Sequence, residues 1–149
     1  MKAARYLVKD ARACRDYWSK SRTSRPTLVL TSPPYYDVKN YGNRRNQIGY
    51  KQTYSRYLGD VCSVLQDCYQ LSSRSATLWL VVDTFRKKGL THLLPFEIVR
   101  RLTDDYGENN TWKLKDIVIW SKRKNIPWHS KGRLKNGFEY ILFFVKNER

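Results

Sequence analysis

The stretch Thr31-Ser32-Pro33-Pro34-Tyr35 follows the apolar run Thr27-Leu28-Val29-Leu30, and the two together constrain the fold more than any other part of the chain. The run is short, partly β-branched and bounded by Pro26 and the proline pair, which is the pattern of a buried strand. Neither Pro33 nor Pro34 has an N–H to donate, and each fixes φ at about −65°, so the ladder ends there. The Ser32 hydroxyl, the carbonyls around Pro33 and the Tyr35 ring are left on a stiff loop at the C-terminal end of a strand. In open α/β sheets that is where ligands sit. Two plainer readings stand beside this one. Ser-Pro-Pro is also an ordinary turn signal. Pro33-Pro34-Tyr35-Tyr36 fits a P-P-x-Y ligand, although such ligands need an exposed polyproline segment and here an apolar strand comes immediately before.

Composition narrows the classes. A chain of 149 residues with 41% hydrophobic and 14% aromatic content is sufficient for one domain with a core. Lys and Arg number 29 against 13 Asp and Glu, a formal charge of +16, which implies a polyanionic partner, most simply nucleic acid. The basic residues are spread along the chain and therefore coat a folded face. Charge alone would serve a ribosomal protein equally well. Five Trp and eleven Tyr suit both core packing and base stacking. Cys14, Cys62 and Cys68 follow no metal spacing and read as small core residues in a reducing compartment, and His92 and His129 do not cluster with them. No metal site is expected. The N-terminus shows no apolar targeting region and no apolar run approaches roughly 18 residues, so a cytoplasmic protein is expected.

In chain order, Arg5 to Val8 reads as a short strand. Ala11 to Lys20 reads as a small helix with Asp10 placed to cap it. Tyr36 to Lys51 is a polar loop in which Arg44 and Arg45 are either phosphate contacts or solvated charges. From Thr53 to Leu71 the spacing of Tyr54, Tyr57, Leu58, Val61, Leu65 and Cys68 predicts a helix with one buried face. Thr77 to Val82 is a strand with Asp83 at its end, where a carboxylate points into the same crevice as the loop after a neighbouring parallel strand; a helix or turn cap is the plainer alternative. Phe85 to Thr91 reads as a basic loop. A helix opens at Leu94 with Pro95 in its first turn and Ile98, Val99 and Leu102 inward. Trp112 to Trp120 and Phe138 to Val145 are strands, joined by a long basic loop from Ser121 to Gly137. In that loop Lys122, Arg123, Lys124, Trp128, Lys131 and Arg133 are candidate nucleic-acid backbone contacts, with a solvated basic loop as the alternative. The fold class is α/β, a partial Rossmann-like sheet with helices on both faces.

The order and wording of these pieces resemble the permuted, or β-class, DNA amino-methyltransferases over essentially all 149 residues. Thr-Ser-Pro-Pro-Tyr is similar to their catalytic loop, in which adenine-specific members mostly carry Asp or Asn and many cytosine-N4 members carry Ser before Pro-Pro-Tyr. Leu94-Pro95-Phe96-Glu97, the strand Asp116 to Trp120, Lys124-Asn125-Ile126-Pro127 and the closing Phe138 to Lys146 all have counterparts there. The resemblance implies transfer of a methyl group from S-adenosylmethionine to cytosine N4 of double-stranded DNA. It makes Ser32, Pro33, Pro34, Tyr35 and Asp83 the catalytic residues, with the Ser32 hydroxyl and the Pro33 carbonyl as candidate acceptors for the amino group, Tyr35 a stacking platform for a flipped base, and Asp83 the partner of Ser32. Asp10 and Thr31 fall where the family meets its cofactor, although Lys9 replaces the family's Gly and helix capping explains Asp10 equally well.

The glycines stand at 42, 49, 59, 89, 107, 132 and 137, and no G-x-G occurs, so the family's Gly-rich cofactor motif and its recognition region are not in this sequence. The expectation is half of an enzyme, with Thr27 to Leu30 presenting an open apolar edge and a complementary chain carrying the Gly-rich motif. An adenine-N6 half, or a non-catalytic nucleic-acid-binding subunit keeping the fold, is the alternative.

Overall fold

A computed structural model describes residues 6–19, 24–39, 41–42, 46–107, 109–122 and 136–147. A 3-10 turn, Ala11–Ala13, leads into α1, Cys14–Ser19. Then come β1 (Leu28–Thr31), α2 (Tyr54–Leu71), β2 (Thr77–Val82), β3 (Phe85–Lys87), β4 (Leu90–His92), α3 (Leu94–Tyr106), β5 (Lys113–Ser121) and β6 (Phe138–Val145).

Local chemistry sets the helix ends. The Asp10 carboxylate accepts from the Arg12 amide and caps the first turn. Thr53 does the same for α2 through the Arg56 amide, and the Ser72 hydroxyl closes the other end by donating to the Cys68 carbonyl at 2.6 Å. In α3, Pro95 sits in the first turn, where its missing N–H interrupts no intrahelical bond.

The main sheet has four strands in the order β1-β2-β6-β5. β1 and β2 are parallel, with Thr31 opposite Leu80, and β6 is antiparallel to both β2 and β5. One face is packed. Leu78, Leu80 and Val82 of β2 and Leu142 and Phe144 of β6 meet Tyr57, Leu58, Val61 and Leu65 of α2 and Leu94, Ile98 and Leu102 of α3. Burying each such side chain stabilises the fold by roughly 1.5–3 kcal/mol. Trp112 lies in the same core, and its indole N–H donates to the Leu65 carbonyl at 2.8 Å.

The opposite face is bare among the described residues. Leu28 and Leu30 are 55% and 67% exposed, as is Trp120 at 51%, and Trp79 and Phe143 stack on each other at 4.5 Å without a covering layer. The sequence reading puts helices on both faces; α2 and α3 pack on one. Among the described residues β1 pairs with β2 alone, which leaves its other edge open there, the edge the sequence reading expects.

Two local expectations are corrected. Tyr6 to Val8 form no strand and are exposed, because no neighbouring strand pairs with them; Arg5 lies outside the described residues. Phe85 to Thr91 is not a loop but the hairpin β3–β4. Its turn residues Lys88 and Gly89 have φ of 51° and 82°, the positive values a two-residue hairpin turn requires. No helix among the described residues is long and apolar enough to cross a membrane.

The two faces should answer differently to substitution. Leu80→Ala should cost about 2–5 kcal/mol in urea unfolding, the usual range for a buried leucine. Leu30→Lys should stay within about 0.5 kcal/mol of the parent and reduce light scattering at high concentration. A comparable stability loss in Leu30→Lys would mean that the chain covers this face itself.

Candidate active site

The loop that leaves β1 is clamped from below. Tyr57, fully buried on α2, donates its hydroxyl to the Pro34 carbonyl at 2.8 Å. The Tyr36 ring enters the core against Tyr54, Tyr57 and Phe85, and its hydroxyl donates to the Gln52 carbonyl at 3.0 Å. Gly49, at φ 90°, lets its loop pass this cluster: a Cβ there would lie 3.3 Å from the Tyr57 ring and 3.4 Å from the Tyr36 Cα. The β3–β4 hairpin holds the outside. Lys87 Nζ sits 4.2 Å from the centre of the Tyr36 ring and pairs with Asp37 at 2.7 Å.

This clamp sorts the acceptors of the loop. The Pro34 carbonyl is taken by Tyr57. The Ser32 hydroxyl, exposed, and the Pro33 carbonyl, half-buried, make no hydrogen bond among the described residues. No described residue takes up either acceptor at the end of β1.

Asp83 stands at the end of β2, beside that loop, because parallel strands end on the same side. Since β6 runs antiparallel and pairs Tyr140 with Val82, its leading residues arrive at this end too. Asn136 donates its side-chain amide to both Asp83 oxygens, at 2.8 and 2.7 Å, and the Thr84 amide donates to one of them at 2.7 Å. Glu139 is paired with Lys122, whose backbone amide donates to the Gly137 carbonyl at 2.8 Å. Burial pushes the Asp83 carboxyl above the usual range, while the Asn136 and Thr84 hydrogen bonds act against it. Burial likewise raises the Tyr35 phenol, and the charges of Glu139 and Asp83 add to the effect. Among the described residues Asp83 bonds Asn136 and Thr84, not Ser32.

Next to Pro34 a cleft of about 590 Å³ opens, lined also by Val8, Asp10, Tyr41 and Ile48. Arg12 ties two of the lining residues together: it pairs with Asp10 at 2.8 Å and donates to the Asn46 carbonyl at 2.6 Å, and it also pairs with Asp60 at 3.3 Å. The Arg12 guanidinium holds the Asp10 carboxyl below its ordinary value. Asp10 is therefore both a cap and part of the cleft wall.

The structure brings Ser32, Pro33, Pro34, Tyr35, Asp83 and Lys122 to one end of the sheet, with Thr31 as the last residue of β1. Arg44, Arg45, Arg123, Lys124, Trp128, Lys131 and Arg133 lie outside the described residues. Sequence reasoning missed Tyr57, Arg12, Asn136 and Glu139. For the last two the available signal was Asn136-Gly137 ahead of the final strand, once that strand is known to run antiparallel beside β2.

The family model described as DNA methylase matches residues 27–149. Among curated relatives, the type II methyltransferase M.MwoI of Methanothermobacter wolfeii is 30% identical over 126 residues, 82% of this chain and 18% of its own length. M.SmaI of Serratia marcescens is 24% identical over 145 residues, 81% of this chain and 49% of its own. The chain thus spans half or less of these relatives. A DNA modification methylase of Thermus thermophilus, solved with S-adenosyl-L-methionine, superposes with TM-score 0.65 at 25% identity, over 95% of this chain and 55% of that one. The cytosine-N4-specific PvuII DNA methyltransferase superposes with TM-score 0.65 at 19% identity, over 90% and 47%, a likeness of fold. With a match that runs from the strand before the Ser32 loop through β6, the chain belongs to the DNA methylase family.

Proposed function

We propose that this chain is the catalytic half of an S-adenosylmethionine-dependent DNA methyltransferase acting on cytosine N4, completed by a second chain. The observation that carries the reading is the pair of acceptors that no described residue bonds, the Ser32 hydroxyl and the Pro33 carbonyl, on a loop clamped by Tyr57 and Tyr36 beside Asp83. An exocyclic amine is a poor nucleophile because its lone pair is delocalised into the ring. Two fixed acceptors that take its hydrogens hold the nitrogen pyramidal and localise that pair. Asp83, at the same end of the sheet as Ser32 and raised by burial, is the carboxylate that receives the proton the amine releases. Tyr35 stacks on the extruded base. No covalent enzyme intermediate is needed.

The cofactor would supply a sulfonium methyl, its methyl carbon–sulfur bond breaking to leave a neutral thioether as the amine takes the methyl. The cleft beside Pro34 has a volume within the range of roughly 300–1,000 Å³ typical of small-molecule sites, and the Asp10 carboxylate in its wall is an acceptor for an adenine amino group. Serine before Pro-Pro-Tyr supports cytosine N4 over adenine N6. Two features among the described residues support a complementary chain: the open edge of β1 and the bare apolar sheet face. The charge of +16 supports DNA as the polyanionic partner.

With the complementary chain supplied, Ser32→Ala and Asp83→Asn should each lower single-turnover methyl transfer by about two to four orders of magnitude. DNA affinity should survive both. Mass spectrometry of the product nucleoside decides the target, and N6-methyladenine would overturn the cytosine assignment.

Tyr57→Phe should slow transfer by about tenfold while costing about 1 kcal/mol of stability, since it frees the Pro34 carbonyl and loosens the loop. Unchanged rates would remove the clamp from the mechanism. By itself the chain should bind S-adenosylmethionine weakly in calorimetry and bind duplex DNA with a steep salt dependence. Tight one-to-one cofactor binding would overturn the half-enzyme reading.

A further inference from the structure

We propose that Asn136 is a positioning residue of this site: its side-chain amide fixes the orientation of the Asp83 carboxylate at the sheet end that carries Ser32. The geometry is specific. One amide nitrogen lies 2.8 Å from one carboxylate oxygen and 2.7 Å from the other, so both oxygens are held and rotation about the last side-chain bond is blocked. The amide itself cannot turn over, because its oxygen accepts from the Phe138 backbone amide at 3.2 Å. A flipped amide would set its oxygen against the carboxylate and its NH2 against an N–H. The chain start of β6 thereby fixes the side chain at the end of β2.

A neutral donor suits this place better than a cation would. Arg or Lys bonded to Asp83 would orient it and also strip it of basicity, whereas an amide orients it and leaves it able to take a proton. The charged groups around Asp83 are consistent with that. Lys122, at the end of β5, is spent on Glu139 of β6, and the Tyr35 hydroxyl of the loop after β1 is neutral. The Thr84 amide bonds one carboxylate oxygen, and Asn136 is the side chain that bonds both. The alternatives at position 136 are each worse: Asp would repel the carboxylate, and Ser would reach one oxygen at most.

The role in methyl transfer rests on the function proposed above, but the hold on Asp83 is measurable without it. The chain is labelled at Asp side-chain carboxyl carbons, and Asp83 is followed by carbon-detected NMR against pH, assigned through Asp83→Asn. Asn136→Leu removes the donor. Asn136→Asp is nearly isosteric, keeps the acceptor for Phe138 and so preserves the start of β6. Loss of a hydrogen bond to the charged form should move the Asp83 midpoint upward by about half a pH unit or more in Asn136→Leu. The shift should be larger in Asn136→Asp, where the two carboxylates titrate as a pair. Midpoints indistinguishable from the parent in both variants would overturn the proposal.

In the reconstituted enzyme the acid limb of kcat/KM should move to higher pH with the Asp83 midpoint, while DNA affinity stays the same. A moved midpoint with an unmoved acid limb would also overturn the positioning role. If the parent complex transfers no methyl group at all, the methyltransferase reading falls, and the titration still decides whether Asn136 holds Asp83.

Discussion

The parallel pairing of β1 with β2 is the constraint on which everything else in this molecule depends. Parallel neighbours end on the same side of a sheet, so the loop after β1 and the residue after β2 meet although α2 and two loops separate them in sequence. An antiparallel pairing of the same two strands would put Ser32 and Asp83 at opposite ends. The pairing is enforced by α2, which returns the chain across the packed face, and by backbone bonds at the strand starts: the Thr77 amide donates to the Thr27 carbonyl at 3.0 Å, and the Ser73 amide to the Pro26 carbonyl at 2.9 Å.

Upon that frame the aromatic cluster performs a second task. Tyr36, Tyr54, Tyr57 and Phe85 are a hydrophobic core by volume, yet the hydroxyls of Tyr36 and Tyr57 are spent on carbonyls of the adjoining loops. The same residues that bury area therefore also decide which carbonyl of the proline pair stays available. Rigidity comes from proline geometry within the loop and from tyrosine hydrogen bonds beneath it.

The fold was legible where a segment's pattern and its environment agree. Leu78, Leu80 and Val82 alternate because one face of β2 is buried, and the α2 face follows from Tyr57, Val61 and Leu65 at helical spacing. The loop after β1 was legible because two prolines leave few conformations open. Failures arose where the partner was distant or missing. Tyr6 to Val8 have strand composition, and no strand among the described residues pairs with them. The Lys88-Gly89 turn is short enough to be read as part of a loop. Asn136 and Glu139 reach Asp83 only through the antiparallel register of β6, and nothing local to residues 136–139 signals that register.

The position of β6 has a consequence for the order in which the sheet can be assembled. β5 has no bond to β2; it joins through β6, the strand between them. During synthesis, β1, α2, β2 and α3 can come together early, but β5 must wait as an unpaired apolar strand until the residues from Phe138 onward have left the ribosome. Final closure of the sheet is thus a late event dominated by contacts between residues far apart in the chain, the kind of step that makes folding slow and exposes nascent strands to wrong partners.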